Sequence, residues 1–535
     1  MIYGAALFLS AAMHAQDLDP TVEVSRVYEG KLIEVRKPVI EMAVPDTLYR
    51  FDLDFDYSVF DSPYRGSYEF NPYMLDMRPE SDLSKPSVFY LRAGAGYTLH
   101  PTLDILWSPD IKGLFSVNVY GTHRSYVGRY RAVGGNRGFE GYDLLSKAGA
   151  DFGYDWKKAS LNFGAYYHGL AVKGPAKVHS YNALDAHASL RSKSLGPEHF
   201  MYRVDAAYRY AGDNASVTGH DFALDASFGP SFNKNNKVFF DLGVALNSYS
   251  GAMETVMTRF YIVPHYIYDK GRIHLDLGFR LSAAMKSGGF RRNQIIYPDL
   301  KMDLAVIPSA MRLFLNVGGG EKLISYAGLL EKNHHVDLSY GTGSPQSLVS
   351  PSVERVNVQL GLEGRISGFV SYLLRGGYVN IAYAPLAAVV RNQEGRYLPY
   401  VGYSSYQKAY AALDWDMNFR SVRFDGTVEY VHSWDMASGN VLLPARVTAD
   451  ARLMYNWRKR LYVGADCLFS SARTNSVGAV VAPWYTDLGV SAEYAFNRKL
   501  SAWIRGGNLL DMEIQRDILY AEKGISFTAG ISLVF

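Results

Sequence analysis

Apolar and polar residues alternate along most of this chain with a period of two. Val238, Phe240, Leu242, Val244 and Leu246 share one parity, and Asp241, Gly243 and Asn247 the other. Ile273, Leu275, Leu277, Phe279 and Leu281 oppose His274, Asp276 and Arg280 in the same way. Two further runs repeat the division: Val356–Leu362 against Asn357, Gln359 and Glu363, and Val422–Tyr430 against Arg423, Asp425, Thr427 and Glu429. Successive residues of a strand point to opposite faces, so each run predicts a strand with one apolar and one polar side. A soluble sandwich would turn its apolar faces inward on each other. Many consecutive strands of about ten residues, each with charges opposite its apolar face, fit a wide membrane barrel better.

Turn signals fall into two populations. Short polar turns are expected near Pro109–Gly113, Trp156–Lys158, Leu195–Glu198, Lys234–Lys237 and Asp269–Arg272. Five more are expected near Pro308–Ala310, Arg365–Gly368, Asn418–Ser421, Arg458–Arg460 and Asn497–Lys499. Longer connections lie between them, including Ser125–Tyr142, Gly318–Val353 and Tyr383–Tyr403. Short and long connections in alternation are the outer-membrane pattern, short on the periplasmic side and long outside. Ten short turns join twenty strands, and one strand at each end, Val88–Leu99 and Gly524–Phe535, brings the expected total to about 22 (range about 18–24). The fold class is therefore all-β: a transmembrane antiparallel barrel.

Composition agrees. Charged residues are 20% of the chain and aromatics 14%, with 41 Tyr and 49 Gly, while mean hydropathy is −0.10. Tyr and Gly in excess without net hydrophobicity suit strands that alternate lipid-facing and water-facing side chains. No run after the N-terminus is long and apolar enough for a membrane helix. A net charge of +3, with basic residues scattered along the chain, gives no support for nucleic acid as a partner. The single cysteine, Cys467, rules out an intramolecular disulfide framework and a multi-cysteine metal site.

The chain divides at its N-terminal end. Residues 1–15, MIYGAALFLSAAMHA, form an apolar stretch ending in small residues and resemble a secretory signal cut after Ala15, although no Lys or Arg precedes the apolar run. Residues 16–86 are acidic and punctuated by seven prolines. They read as an extended periplasmic or lumenal arm, too short and proline-rich to build much core of their own. Residues 87–535 read as the barrel.

The C-terminus carries the sharpest motif. In Gly524–Phe535 the residues Ile525, Phe527, Ala529, Ile531, Leu533 and Phe535 share one face, with Ser526, Thr528, Gly530 and Ser532 on the other. Phe527, Ile531, Leu533 and Phe535 are read as the closing strand and its assembly signal. The preceding run Leu500–Asp511, ending Asn-Leu-Leu-Asp, together with this strand resembles the last strands of TonB-dependent receptors. Ser350–Leu362 resembles the family's return from an outer loop into a strand. The resemblance covers roughly residues 88–535 and implies an outer-membrane transporter or receptor barrel. It departs at the N-terminus, where residues 16–86 offer no room for the family's folded plug, so the chain is expected to be a plug-less relative. Thr21–Ser25 matches a TonB box only faintly, and TonB is not carried over as a partner. A wide barrel without a plug needs something else in its lumen: the arm, inward-folded loops such as Gly318–Val353, or an envelope protein such as a lipoprotein or complex subunit. A scaffold subunit of a larger outer-membrane complex is the alternative to transport.

Candidate chemistry is sparse. Asp241, His274, Asp276, Arg280, Arg423, Asp425 and Glu429 are expected to face the lumen, as a selectivity surface or simply as the wet lining any wide barrel carries. His334, His335 and Asp337 suggest a metal site at first sight. Adjacent histidines in an extended chain point opposite ways and no spaced third or fourth ligand follows, so a structural role in the loop is expected. No Gly-x-Ser-x-Gly, His-Glu-x-x-His or phosphate-cradling motif occurs, and neither catalysis nor a cofactor is expected. The tyrosines of Tyr126–Tyr130 and Tyr397–Tyr406 are expected in the interfacial girdle or in ligand contact. Trp156, Trp457 and Trp503 are expected in the periplasmic belt.

Overall fold

A computed structural model describes residues 88–535 apart from 98–99, 112, 134–136, 176, 194–198, 290–294, 342, 367, 392, 394–396, 435–440, 476–479 and 523. The expectations for residues 1–15 and 16–86, Thr21–Ser25 included, lie outside the described residues.

The described chain is a closed 22-stranded antiparallel β-barrel. Each barrel strand pairs with the next barrel strand in sequence, the short hairpin Arg473–Thr474 and Val480–Ala482 standing apart in its own sheet, and the last strand, Ser526–Val534, pairs with the first, Phe89–Tyr97. That seam runs in register from Tyr90 opposite Val534 to Tyr97 opposite Phe527. A second hydrogen-bonded edge joins the last strand to Leu500–Gly507. No helix among the described residues is long and apolar enough to cross a membrane.

The two-residue rhythm becomes two surfaces. On the strand Asn236–Gly251, Phe240, Leu242, Val244 and Leu246 stand exposed on the outside, while Ala245, Asn247 and Tyr249 are buried on the inside. Inner glycines let neighbouring rings lie flat on the wall. A Cβ on Gly243 would stand 2.0 Å from Cε1 of Tyr261. On the closing strand Phe527, Ile531 and Phe535 are exposed outward, Leu533 shares their parity and is half-buried, and Ser532 is buried inward.

Nine of the ten short connections fall where the turn chemistry places them, at one rim of the barrel, and the expected turn Leu195–Glu198 lies outside the described residues. The opposite, long-loop rim differs from expectation in two places. Strands Phe115–Tyr130 and Phe139–Asp155 consume most of the segment read as the connection Ser125–Tyr142. More markedly, Tyr383–Tyr403 is not a loop. Val370–Arg391 and Tyr397–Phe419 remain paired to Arg391 opposite Tyr397, so this hairpin projects beyond its neighbours. Its pairing slips between Ile381 and Ala384, where Tyr383 adopts φ 57°. Outside the bilayer no lipid-facing alternation is demanded, and the run of small and apolar residues there hides its strand character.

Tyr126, Tyr130 and Tyr406 are buried rather than forming an interfacial girdle. Trp156 and Trp457 border short turns, and Trp457 is exposed. Trp503 instead is buried on the inner face, where its ring covers Gly94 and Gly530 and lies 4.2 Å from the Arg92 guanidinium. Proximity to a short turn does not decide which face a residue takes; parity does.

Candidate functional site: the inner wall and the folded long loop

The lumen-facing candidates sort into two groups and two outliers. On adjacent strands of the inner wall, His265 links two of them, with Nδ1 2.6 Å from Asp276 Oδ1 and Nε2 3.3 Å from Asp241 Oδ1. Lys301 lies 3.8 Å from the other oxygen of Asp276. One row further along, Arg280 stacks 4.6 Å over the Tyr261 ring and sits 3.6 Å from Asp299, while the Tyr261 hydroxyl donates to Asp225 at 2.6 Å. Six strands on around the sheet from Arg280, Arg423 pairs with Asp416 at 2.9 Å and reaches Asp425 at 3.5 Å. Glu429 is buried on that same strand, opposite Ala412 and Thr448. His274 stands apart near a short turn, 3.7 Å from Asp269. All but Arg423–Asp425, which share a strand, cross from strand to strand, and each crossing pair adds roughly 0.2–1 kcal/mol to the register it spans.

His265 and Tyr261 escaped the sequence reading. They alternate with Val263 and Ile267 on a strand whose outer face is also apolar, Phe260 and Ile262 included. With both faces apolar the period-two contrast vanishes, and only position relative to the neighbouring strand marks them as inner residues.

Among the described residues the long connection between Met311–Leu323 and Pro351–Ile366 is the one at the long-loop rim that carries an α-helix. Ser325 caps a helix, Tyr326–Lys332, by accepting from the Gly328 backbone N–H at 3.0 Å. Tyr326, Leu329 and Leu330, three and four residues apart on one face, are buried. Two short 3-10 turns follow, Leu338–Tyr340 and Pro345–Leu348. The loop's Leu330, Val336, Leu348 and Val349 pack with Leu170, Tyr181, Tyr249 and Met257 of the inner wall in one apolar cluster. Each large side chain so buried contributes roughly 1.5–3 kcal/mol, so packing rather than any one polar contact holds the loop in.

Polar contacts fix where it sits. The Tyr249 hydroxyl lies 3.1 Å from the Tyr326 backbone nitrogen, which donates to it, and the Tyr326 hydroxyl donates to Asp213 at 3.0 Å. Lys286 Nζ donates to the carbonyls of Gln346 and Val349 at 2.7 and 2.6 Å. The Tyr403 hydroxyl donates to the Leu348 carbonyl at 2.9 Å. The farthest contact is His334 Nδ1 to Asp143 at 2.7 Å. Eight strands separate the Asp143 strand from the one on which the loop begins, so in a ring of 22 the loop reaches nearly the opposite wall.

His334, His335 and Asp337 diverge rather than converge. His334 turns to Asp143. His335 stacks on Tyr520, with ring centroids 3.7 Å apart and planes within 2°, and lies 3.8 Å from Asp517. Asp337 accepts from the Ser339 backbone and pairs with Lys177 at 2.9 Å. Burial alone would lower the His334 pKa, yet the Asp143 carboxylate beside it raises it to about 9. Burial pushes His335 down to about 3 and Asp517 up to about 7. At neutral pH the two histidines therefore differ: His334 is a cation anchored to a carboxylate, and His335 a neutral ring suited to stacking. Among the described residues no group of His, Cys, Asp and Glu is arranged to hold a metal.

Through Tyr520 the loop meets a second one, residues 508–525. The Tyr340 and Tyr520 hydroxyls are 3.3 Å apart, and Tyr130 and Phe139 set their edges against Tyr520. Ile518, Leu519 and Ala521 of the second loop pack with Val133, Val389, Leu442 and Ala482, which come from four further long-loop connections and strand ends. An isolated bridge joins Arg131 to Ala521.

No protein-family model matches the chain, and no curated protein matches it in sequence. Solved structures are similar in fold. The copper transporter OprC aligns with TM-score 0.62 at 11% identity, covering 85% of this chain and 81% of that one. The ferric-catecholate import receptor Fiu from K12 E. coli aligns with TM-score 0.60 at 10% identity over 86% and 82%. The siderophore receptor PirA from Acinetobacter baumannii aligns with TM-score 0.59 at 11% identity over 85% and 81%. At this identity the likeness is one of fold.

Proposed function

We propose that the protein is an outer-membrane barrel of the transporter and receptor kind, gated at its long-loop rim by residues 324–350. The observation that carries this reading is the reach of that loop, from the strand ending at Leu323 to Asp143 nearly across the ring. A loop that packs apolar side chains against the wall on its way across obstructs the mouth, and moving it would admit a solute. The charged wall beneath, with Asp241, His265, Asp276 and Arg280, then meets the solute after the gate. Fold neighbours that include a copper transporter and siderophore receptors support transport as the use of such a barrel. No substrate follows from the wall itself, because its carboxylates and cations are largely paired with each other. No catalytic role is assigned.

Planar-bilayer recording tests the reading. Replacing residues 326–349 by a short Gly-Ser linker is expected to raise single-channel conductance at least about tenfold over the full chain, as a wide barrel enclosing water should conduct once unobstructed. Equal conductance of the two proteins would remove the gate from the account. A closed truncated barrel that opens only when residues 16–86 are also deleted would transfer the closure to that segment. Retention on a membrane-protein partner after mild extraction, with no conductance in any form, would favour the scaffold reading instead.

A further inference from the structure

The two rims carry different charge. Among the described residues the ten short connections contain eleven Lys and Arg against one Asp, while the long connections contain seven against seven. The basic residues are not one patch. Lys157, Lys158, Arg272, Arg420, Arg458 and Arg460 are exposed and come from four turns spread around the ring. The geometry points to a ring of cations that docks the anionic phospholipid headgroups of the leaflet surrounding the short-turn rim.

Three observations carry this assignment to lipid. First, exposed aromatic side chains stand at five of the ten short turns and at the C-terminus, Phe232, Phe369, Phe419, Trp457, Phe496 and Phe535, and four of those five turns also carry a cation. Arg420 follows Phe419 directly and Arg458 follows Trp457. Arg458 lies 5.3 Å over the Trp457 ring and Lys499 5.3 Å over that of Phe535. Aromatic rings at the level of the headgroups, with cations just beyond them, match the depth order of a membrane interface. Second, cations from seven of the ten short turns, spread around the barrel, are complementary to a partner that surrounds it, and a lipid leaflet does so. Third, the charge stands where the backbone disfavours it. Arg458 and Lys459 have φ of 53° and 57°, the left-handed conformation for which tight turns ordinarily select Gly, Asn or Asp. The competing occupant is the chain's own residues 16–87, with fifteen Asp and Glu against eight Lys and Arg. A single chain segment accounts less well for cations from turns this far apart around the barrel.

The test uses the full chain reconstituted in phosphatidylcholine vesicles that contain a minor fraction of brominated lipid, either phosphatidylglycerol or phosphatidylcholine. Bromine quenches the emission of tryptophans it touches, and Trp457 stands in the ring. Brominated phosphatidylglycerol is expected to compete for the protein surface about threefold better than brominated phosphatidylcholine. High salt should bring the two towards parity. So should the joint substitution Lys157→Gln, Lys158→Gln, Arg458→Gln and Arg460→Gln; if that variant does not fold, the salt response of the unaltered protein decides. Equal quenching by both lipids, or a preference insensitive to salt, overturns the proposal. A preference that emerges only after residues 16–87 are deleted also overturns it, and assigns the ring to that acidic segment.

Discussion

Arginine in place of Val244 is expected to destabilise the folded barrel by about 2–4 kcal/mol, the cost of a cation on the lipid face near the bilayer midplane. Val244 is central in the strand Asn236–Gly251 and exposed on the apolar outer face. Its Cβ points into hydrocarbon, where a guanidinium has no partner and must snorkel or thin the bilayer. The companion substitution, Ser227→Arg, places the same cation on the inner wall. Ser227 stands opposite Asp241 in the neighbouring register, so the new guanidinium meets water and a carboxylate, and a change within about 0.5 kcal/mol is expected. Urea unfolding of both variants in vesicles measures the difference. Similar losses at the two sites would mean that the faces are not lipid and water.

The second large effect lies at the seam. Ala529 sits between two partners, Ala95 on the first strand and Ile504 on the penultimate one. Proline there removes a ladder donor and imposes its own φ in the middle of a strand paired on both edges, a position from which proline is excluded except at bulges. A barrel has no redundancy at its closing pair, because an open seam exposes two rows of backbone groups to hydrocarbon. Ala529→Pro is therefore expected to abolish the heat-modifiable folded band on cold gel electrophoresis. Leu510→Pro, in the exposed turn of the preceding connection, is the control and should leave most of that band in place. Full folding of Ala529→Pro would contradict the seam.

Much of this architecture was legible from the chain. Each short turn must reverse the backbone in a few residues, so its polar and turn-forming side chains cluster where the strands break. Each membrane-level strand must separate lipid from water, so residues such as Leu242 and Asp241 declare their faces. What stayed hidden lies where neither demand applies. Above the bilayer the hairpin from Tyr383 to Tyr403 needs no lipid face, and it read as a loop. The inward fold of residues 324–350 depends on contacts such as His334 with Asp143 and Tyr326 with Asp213, separated by more than a hundred residues in sequence. Local pattern carries no trace of such pairs. His334 and His335 lie in the loop, but the features that give them different roles, a carboxylate on another strand and a tyrosine on another loop, are tertiary. Asp241 and Asp276 stand out in the sequence as charges opposite an apolar face, yet the histidine that joins them comes from a strand whose two faces look alike.

Spin labels placed singly along positions 238 to 248, in a Cys467→Ser background reconstituted in lipid vesicles, test the central claim most directly. Collisions with oxygen, which concentrates in hydrocarbon, and with a water-soluble nickel chelate are measured at each position. The account predicts that the two accessibilities alternate with a period of two and out of phase, oxygen high at Phe240, Leu242, Val244 and Leu246 and nickel high at the positions between. Accessibilities that rise and fall together, with the chelate reaching every position, would contradict a barrel with lipid outside and water within.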